Sequence, residues 1–171
     1  MNTATFLFAD DGDIPNHAHL PLIVYASAVE PAGDMAAAFE MLFRSHGWGG
    51  MWRNGIFPFH HYHSTAHEVL GIAAGEAEVR FGGEGGKTVH VKAGDAVLIP
   101  AGVGHKRLSA SSDLLVIGAY PAGQRADLMR EGAEDKAGIR ARIAAVARPG
   151  ADPVAEVAGP MVTLWPKVAT A

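Results

Sequence analysis

The chain has 171 residues, 49% of them apolar and 19% charged, with no cysteine and a formal net charge of −4. Disulfides and thiolate metal sites are therefore excluded, and the absence of any Lys/Arg run disfavours nucleic acid as a partner. No apolar stretch reaches the ~18 residues of a membrane span, and the start, MNTATFLFADDGD, lacks the basic region of a signal peptide, so a cytoplasmic setting without a membrane partner is expected.

TFLF and PLIVYAS read as short strands. Asp34 to Gly47 reads as a helix, with Met35, Phe39 and Leu42 at helical spacing, Asp34 as cap and Gly47 as stop. Trp48 and Trp52 follow in what reads as a Gly-rich turn. From Gly55 to Pro121 the rhythm changes to strand, turn, strand. EAEVRF alternates, with Ala77, Val79 and Phe81 on one face and Glu76, Glu78 and Arg80 on the other; KTVHVK alternates too. DAVLIP and DLLVIGAY are continuously apolar, as interior strands are. GGEGG, KAGD, PAGVG and SASSD punctuate these runs. GGEGGKT has one residue too few for a phosphate-binding loop and precedes a strand, so it reads as a hairpin turn. A second helix is expected around AEDKAGIRARIAAVARPG, with Ile139, Ile143 and Val146 on one side, and a last strand at MVTLWP. Short strands at roughly ten-residue spacing predict an all-β sandwich or barrel. A chain this long can bury roughly 68–70% of its unfolded surface, so it needs no structural metal to fold.

GIFPFHHYHSTAHEVLGIAAG concentrates His60, His61, His63, His67 and Glu68 in nine residues. Side chains alternate along a strand, so His61 and His63 share a face while His60 and Tyr62 point the other way. Glu68, across the short STAH connection, can add a carboxylate. His105, just after the Pro100–Gly102 turn, can add a third imidazole. A solvated histidine-rich edge, or His67 in place of Glu68, are the competing readings. His60 is expected to pack or hydrogen-bond outside the barrel and His90 to be exposed. His17 and His19 form a second H-x-H but lack a following acid, and read as loop; His46 sits where a helix C-terminus favours positive charge.

Two longer patterns now stand out. The first is Gly55, five residues, His61, one residue, His63, four residues, Glu68, six residues, Gly75. The second is Gly94, five residues, Pro100, one residue, Gly102, two residues, His105, three residues, Ser109. They resemble the two motifs of the cupin superfamily, in order, with Ser109 where the second motif usually has Asn. The wording HHYHSTAHEVLG resembles a group of small bacterial single-domain cupins. The resemblance spans about Gly55 to Ala119. It implies a cupin jelly-roll β-barrel, with one divalent transition metal (Fe, Mn, Ni, Co, Cu or Zn) held by His61, His63, Glu68 and His105.

The expectation is then a single domain over 1–171. It has a core of about 50–121, an N-terminal strand/helix extension (1–49) and a C-terminal helix extension (122–171). A metal-dependent enzyme of oxygenase or isomerase type, acting on a small molecule, is the leading reading. A non-catalytic barrel that binds or senses a small molecule or metal is the alternative. Strand alternation would place Arg107 and Ser109 on the ligand side, where they could receive an anionic or chelating molecule. Phe57, Phe59, Leu70 and Ile72 share the ligands' parity and read as barrel filling, with Phe59 also a candidate substrate contact. No side chain is singled out as catalytic. Exposed edge strands make a homodimer a candidate assembly.

Overall fold

Eleven strands and three helices follow one another in a computed structural model that describes residues 1–167; the last four residues of the C-terminal extension lie outside the described residues. In chain order they are β1 (Asn2–Phe6), β2 (Leu22–Ala26), α1 (Met35–Ser45), β3 (Trp48–Asn54), β4 (His61–Tyr62), β5 (Glu68–Ala74), β6 (Glu76–Phe81), β7 (Lys87–Lys92), β8 (Ala96–Ile99), β9 (His105–Ala110), β10 (Leu115–Pro121), β11 (Met129–Arg130), α2 (Lys136–Ala145) and α3 (Pro160–Leu164). All strand pairs are antiparallel. They form a six-stranded sheet, β1-β2-β8-β5-β10-β3, and a five-stranded sheet, β11-β4-β9-β6-β7. This is the jelly-roll arrangement expected of the sequence.

The two sheets differ in what covers them, and the sequence patterns follow. Between the sheets lie Leu70, Ile72, Val79, Phe81, Val97, Ile99 and Val116, all buried. The far face of the six-stranded sheet is also covered: Val69, Ala73, Ala96, Leu98, Ile117 and Ala119 pack under α1 and the C-terminal segment, against Phe39, Phe43, Met161 and Trp165. β5, β8 and β10 are thus buried on both faces, which is why their sequences are continuously apolar. In the five-stranded sheet α2 covers Tyr62 of β4, but β6 turns Glu76, Glu78 and Arg80 away from the core and so alternates as predicted.

α1 begins where expected: the Asp34 side chain accepts from the Ala37 N–H at 3.0 Å. It packs its Phe39 ring over Gly71 of β5, where a Cβ would collide with the ring. Two expectations need correction. Trp48 and Trp52 belong to a strand, β3, which pairs with β10; a register shift between Gly118 and Tyr120 absorbs the irregularity of its two glycines. MVTLWP is not a strand: Pro160 opens the short helix α3 with its preset φ, and the buried Asp152 carboxylate accepts from the Met161 N–H at 3.1 Å. Among the described residues no helix is long and apolar enough to cross a membrane.

Candidate metal centre

Strand register builds the cluster. His61 on β4 stands directly opposite His105 on β9, with ring centroids 3.9 Å apart. His63 follows His61 by two residues, and its ring is 5.9 Å from that of His61 and 5.5 Å from that of His105. One nitrogen from each of the three rings lies within 4.8 Å of the others. Glu68 opens β5 and is buried, with Oε1 3.3 Å from His63 Nε2 and 3.4 Å from His105 Nε2. The four residues picked out by spacing are therefore brought together.

Each ring is oriented from behind. Nδ1 of His61 meets the Phe59 carbonyl at 3.0 Å, Nδ1 of His63 the Asp127 carbonyl at 2.5 Å, and Nδ1 of His105 the Val103 carbonyl at 3.1 Å. A carbonyl only accepts, so each Nδ1 carries the hydrogen and donates it. That leaves Nε2 of each ring as the nitrogen available to a metal, with those of His63 and His105 facing Glu68. Three imidazole lone pairs and a carboxylate in one buried spot fit a divalent transition metal, with the outer hydrogen bonds fixing tautomer and ring direction.

Sequence reasoning missed the support of His63. Asp127 lies in the loop before β11, and nothing in its neighbours marks it. Its carboxylate accepts from the Ser64 N–H at 2.6 Å and from the Ser64 hydroxyl, to which Arg142 Nε also donates at 3.2 Å. This clamp holds the carbonyl that anchors His63. Asp127→Ala should retain the fold and weaken metal affinity about 10–100-fold, the usual cost of losing an outer partner. Competition against a chelator of known affinity measures it; unchanged affinity would separate the clamp from the site.

Burial, and then the neighbouring His105, push His61 down to about 3, so it is neutral at pH 7. Burial also opposes a charge on His63, but Glu68 and the Asp127 carbonyl outweigh it and raise His63 to about 9. Burial alone would raise Glu68, yet the facing histidines hold it well below the usual carboxylate range. At neutral pH the metal-free cluster thus keeps a proton on His63, paired with ionised Glu68. A metal must displace that proton. Metal uptake at pH 7 should release about one proton, and apparent affinity should rise about tenfold per pH unit until about pH 9, then level off. Calorimetry in buffers of different ionisation enthalpy gives the count; no buffer dependence would contradict it.

The other histidines face elsewhere. His67, fully buried, accepts the Ala101 N–H on Nδ1 at 2.9 Å and packs 4.8 Å from the Trp165 ring, away from the cluster. His60 meets Glu84 at 2.8 Å, and His90 meets Glu76 at 2.9 Å. His17 accepts from the His19 and Leu20 N–H groups and shapes a loop. His46 caps α1 and bonds the Pro153 carbonyl at 2.8 Å.

The cluster lies in the wall of a cavity of about 380 Å³. Arg107 also lines it: on β9 it stands opposite Val79, an inward residue, and among the described residues it forms no ion pair. Ser109 does not share that face. The β9–β6 register shifts between Glu78 and Val79, so Leu108 is an extra residue and Ser109 stands exposed beside the outward Glu78. Phe59 lies beside the cavity, edge-on to His61 with centroids 5.7 Å apart and capped by the Arg130 guanidinium at 3.8 Å. Leu70 lines the cavity while Ile72 fills the barrel, and Phe57 stands 47% exposed at the cavity wall. Two further lining residues come from distant strands: Trp52 donates through Nε1 to the Tyr120 hydroxyl at 2.9 Å, and that hydroxyl faces Glu68.

A family model described as Cupin domain matches residues 51–117. YjlB of Bacillus subtilis (strain 168) is 43% identical over 165 residues, covering 96% of this chain and 98% of that protein. Similar solved structures include a DUF861 family protein from Thermotoga maritima, at 27% identity, 42% of this chain, 75% of that chain and a TM-score of 0.31. Another is acireductone dioxygenase from Bacillus anthracis, with a cadmium ion in its active centre, at 17% identity, 53% of this chain, 61% of that chain and a TM-score of 0.39.

Proposed function

Because the chain belongs to the cupin family, we propose that it is a metal-dependent enzyme that acts on a small anionic molecule, with one divalent transition metal held by His61, His63, Glu68 and His105. The observation that carries this reading is the cluster itself: one nitrogen from each of three rings lies within 4.8 Å of the others, Glu68 sits against His63 and His105, and each ring is fixed by a backbone carbonyl behind it. When bound, such a metal supplies Lewis acidity and, if redox-active, electron transfer, which suits oxygenase or isomerase chemistry.

The chain's own residues supply the rest. Glu68 offsets one of the metal's two charges, so the site stays net positive. Arg107 lines the same cavity, and its planar fork can hold a carboxylate through two hydrogen bonds that are less screened there than in water. Ile56 and Leu70 make part of the wall apolar, which excludes water around the bound molecule. A hydroxy- or keto-acid would meet both anchors. The whole chain is taken to act as one unit, because α1 and the C-terminal segment both bury apolar side chains on the six-stranded sheet.

The test is turnover. Metal-free protein is loaded separately with Fe, Mn, Co, Ni, Cu and Zn and given a panel of small hydroxy- and keto-acids. Oxygen uptake and product formation are then followed. The expected result is turnover with at least one metal, lost in His61→Ala. Saturable binding of an acid with no turnover under any metal would make the protein a binding barrel instead.

A further inference from the structure

The cavity has a planar aromatic wall that the metal and Arg107 do not account for. Trp52 on β3 stands opposite Gly118 on β10. A Cβ at Gly118 would run into the indole, so the ring packs against bare backbone at that point. Its Nε1–H is held by the Tyr120 hydroxyl at 2.9 Å, which fixes the ring's rotation. Of the three tryptophans, Trp48 and Trp165 are fully packed in the layer under α1, at 2% and 0% exposure. Trp52 is half-buried and lines the cavity. Phe57 lines it too, is 47% exposed, and is itself held by stacking on Phe59 with centroids 4.9 Å apart.

A preordered, partly exposed indole loses little freedom when something stacks on it, and flat rings gain more from such a surface than chains of equal area. The volume, about 380 Å³, falls at the small end of the roughly 300–1,000 Å³ found for ligand sites. Arg107 is the one lysine or arginine that lines the cavity, among the described residues.

We infer that the cavity takes a ring-bearing carboxylic acid, its ring against Trp52 and its carboxylate on Arg107 beside the metal ligands. This rests on the cavity being the ligand site proposed above, and it names the ligand's class. Both anchors belong to the protein itself, so recognition survives removal of the metal.

The test uses the full chain, metal-stripped and zinc-loaded, and three probes: benzoate, propionate and benzamide. Trp52 is the accessible indole, so its fluorescence reports occupancy. Benzoate should quench it saturably in both forms and bind at least tenfold more tightly than propionate, which lacks the ring, or benzamide, which lacks the charge. Arg107→Ala should weaken benzoate at least tenfold and leave benzamide unchanged. Trp52→Leu, followed by calorimetry, should bring benzoate down to the affinity of propionate; near-ultraviolet circular dichroism checks its fold. If that variant does not fold, the wild-type probe series and Arg107→Ala decide the matter. Equal binding of benzoate and propionate, or undiminished benzoate binding by folded Trp52→Leu, would overturn the inference. Failure of the metal reading shows separately, as a zinc-loaded sample that holds no zinc.

Discussion

Asp152→Ala should lower stability by about 3–5 kcal/mol and the melting temperature by about 10 °C, while leaving the metal centre intact. The Asp152 carboxylate is fully buried and accepts four hydrogen bonds. Oδ2 takes the Tyr25 hydroxyl at 2.6 Å and the Met161 N–H at 3.1 Å; Oδ1 takes the Val154 N–H at 2.8 Å and the Ala155 N–H at 3.0 Å. It therefore ties β2 of the barrel to the turn and helix of the C-terminal extension. Alanine would leave three buried donors and the part-buried Ala155 N–H without partners, each buried one costing about 1–3 kcal/mol before relaxation. Asp152→Asn keeps the Oδ1 acceptor but opposes an amide to the Met161 N–H, so an intermediate loss is expected. Thermal unfolding of the three proteins measures the series. A shift under about 2 °C for the alanine variant would show that the extension is held by apolar packing alone.

Single replacement of His61, His63 or His105 by Ala should each reduce metal affinity by more than the ~100-fold attached to an outer partner, because each removes a donor atom itself. His105 is the most instructive of the three. It is buried at 2% exposure and directly opposite His61 in the sheet, so its loss opens the closest ring pair in the cluster. Replacing His17 and His19 together should leave the metal in place, since His17 is spent on the His19 and Leu20 N–H groups. Metal content of each variant after dialysis against a weak chelator measures this. Loss in the His17/His19 variant with retention in the His61 variant would relocate the site.

The ligands were legible because they fall in two short segments whose internal spacing matches a known pair of motifs, and because H-x-H on a strand puts both rings on one face. The alternation of β6 was legible because one face of that strand is turned away from the core. The runs of β8 and β10 gave strands but no facing, since both faces are buried. What the sequence hides is what depends on cross-strand register. Trp52 and Tyr120 meet only because β3 and β10 pair with Gly118 opposite Trp52. Asp127 reaches Ser64 from a loop sixty-three positions away in sequence. The extra residue at Leu108, which turns Ser109 outward, leaves no mark in composition or periodicity. The helix at Pro160 read as a strand because its apolar residues are too few to show a helical period.

Elemental analysis of untagged protein, after exposure to each divalent transition metal and removal of loosely held ions, tests the central claim most directly. The account predicts about one equivalent of metal per chain in the wild type, with none retained when His61 and His105 are both alanine. Wild-type protein that retains none of these metals, or a double variant that retains as much as the wild type, would contradict it.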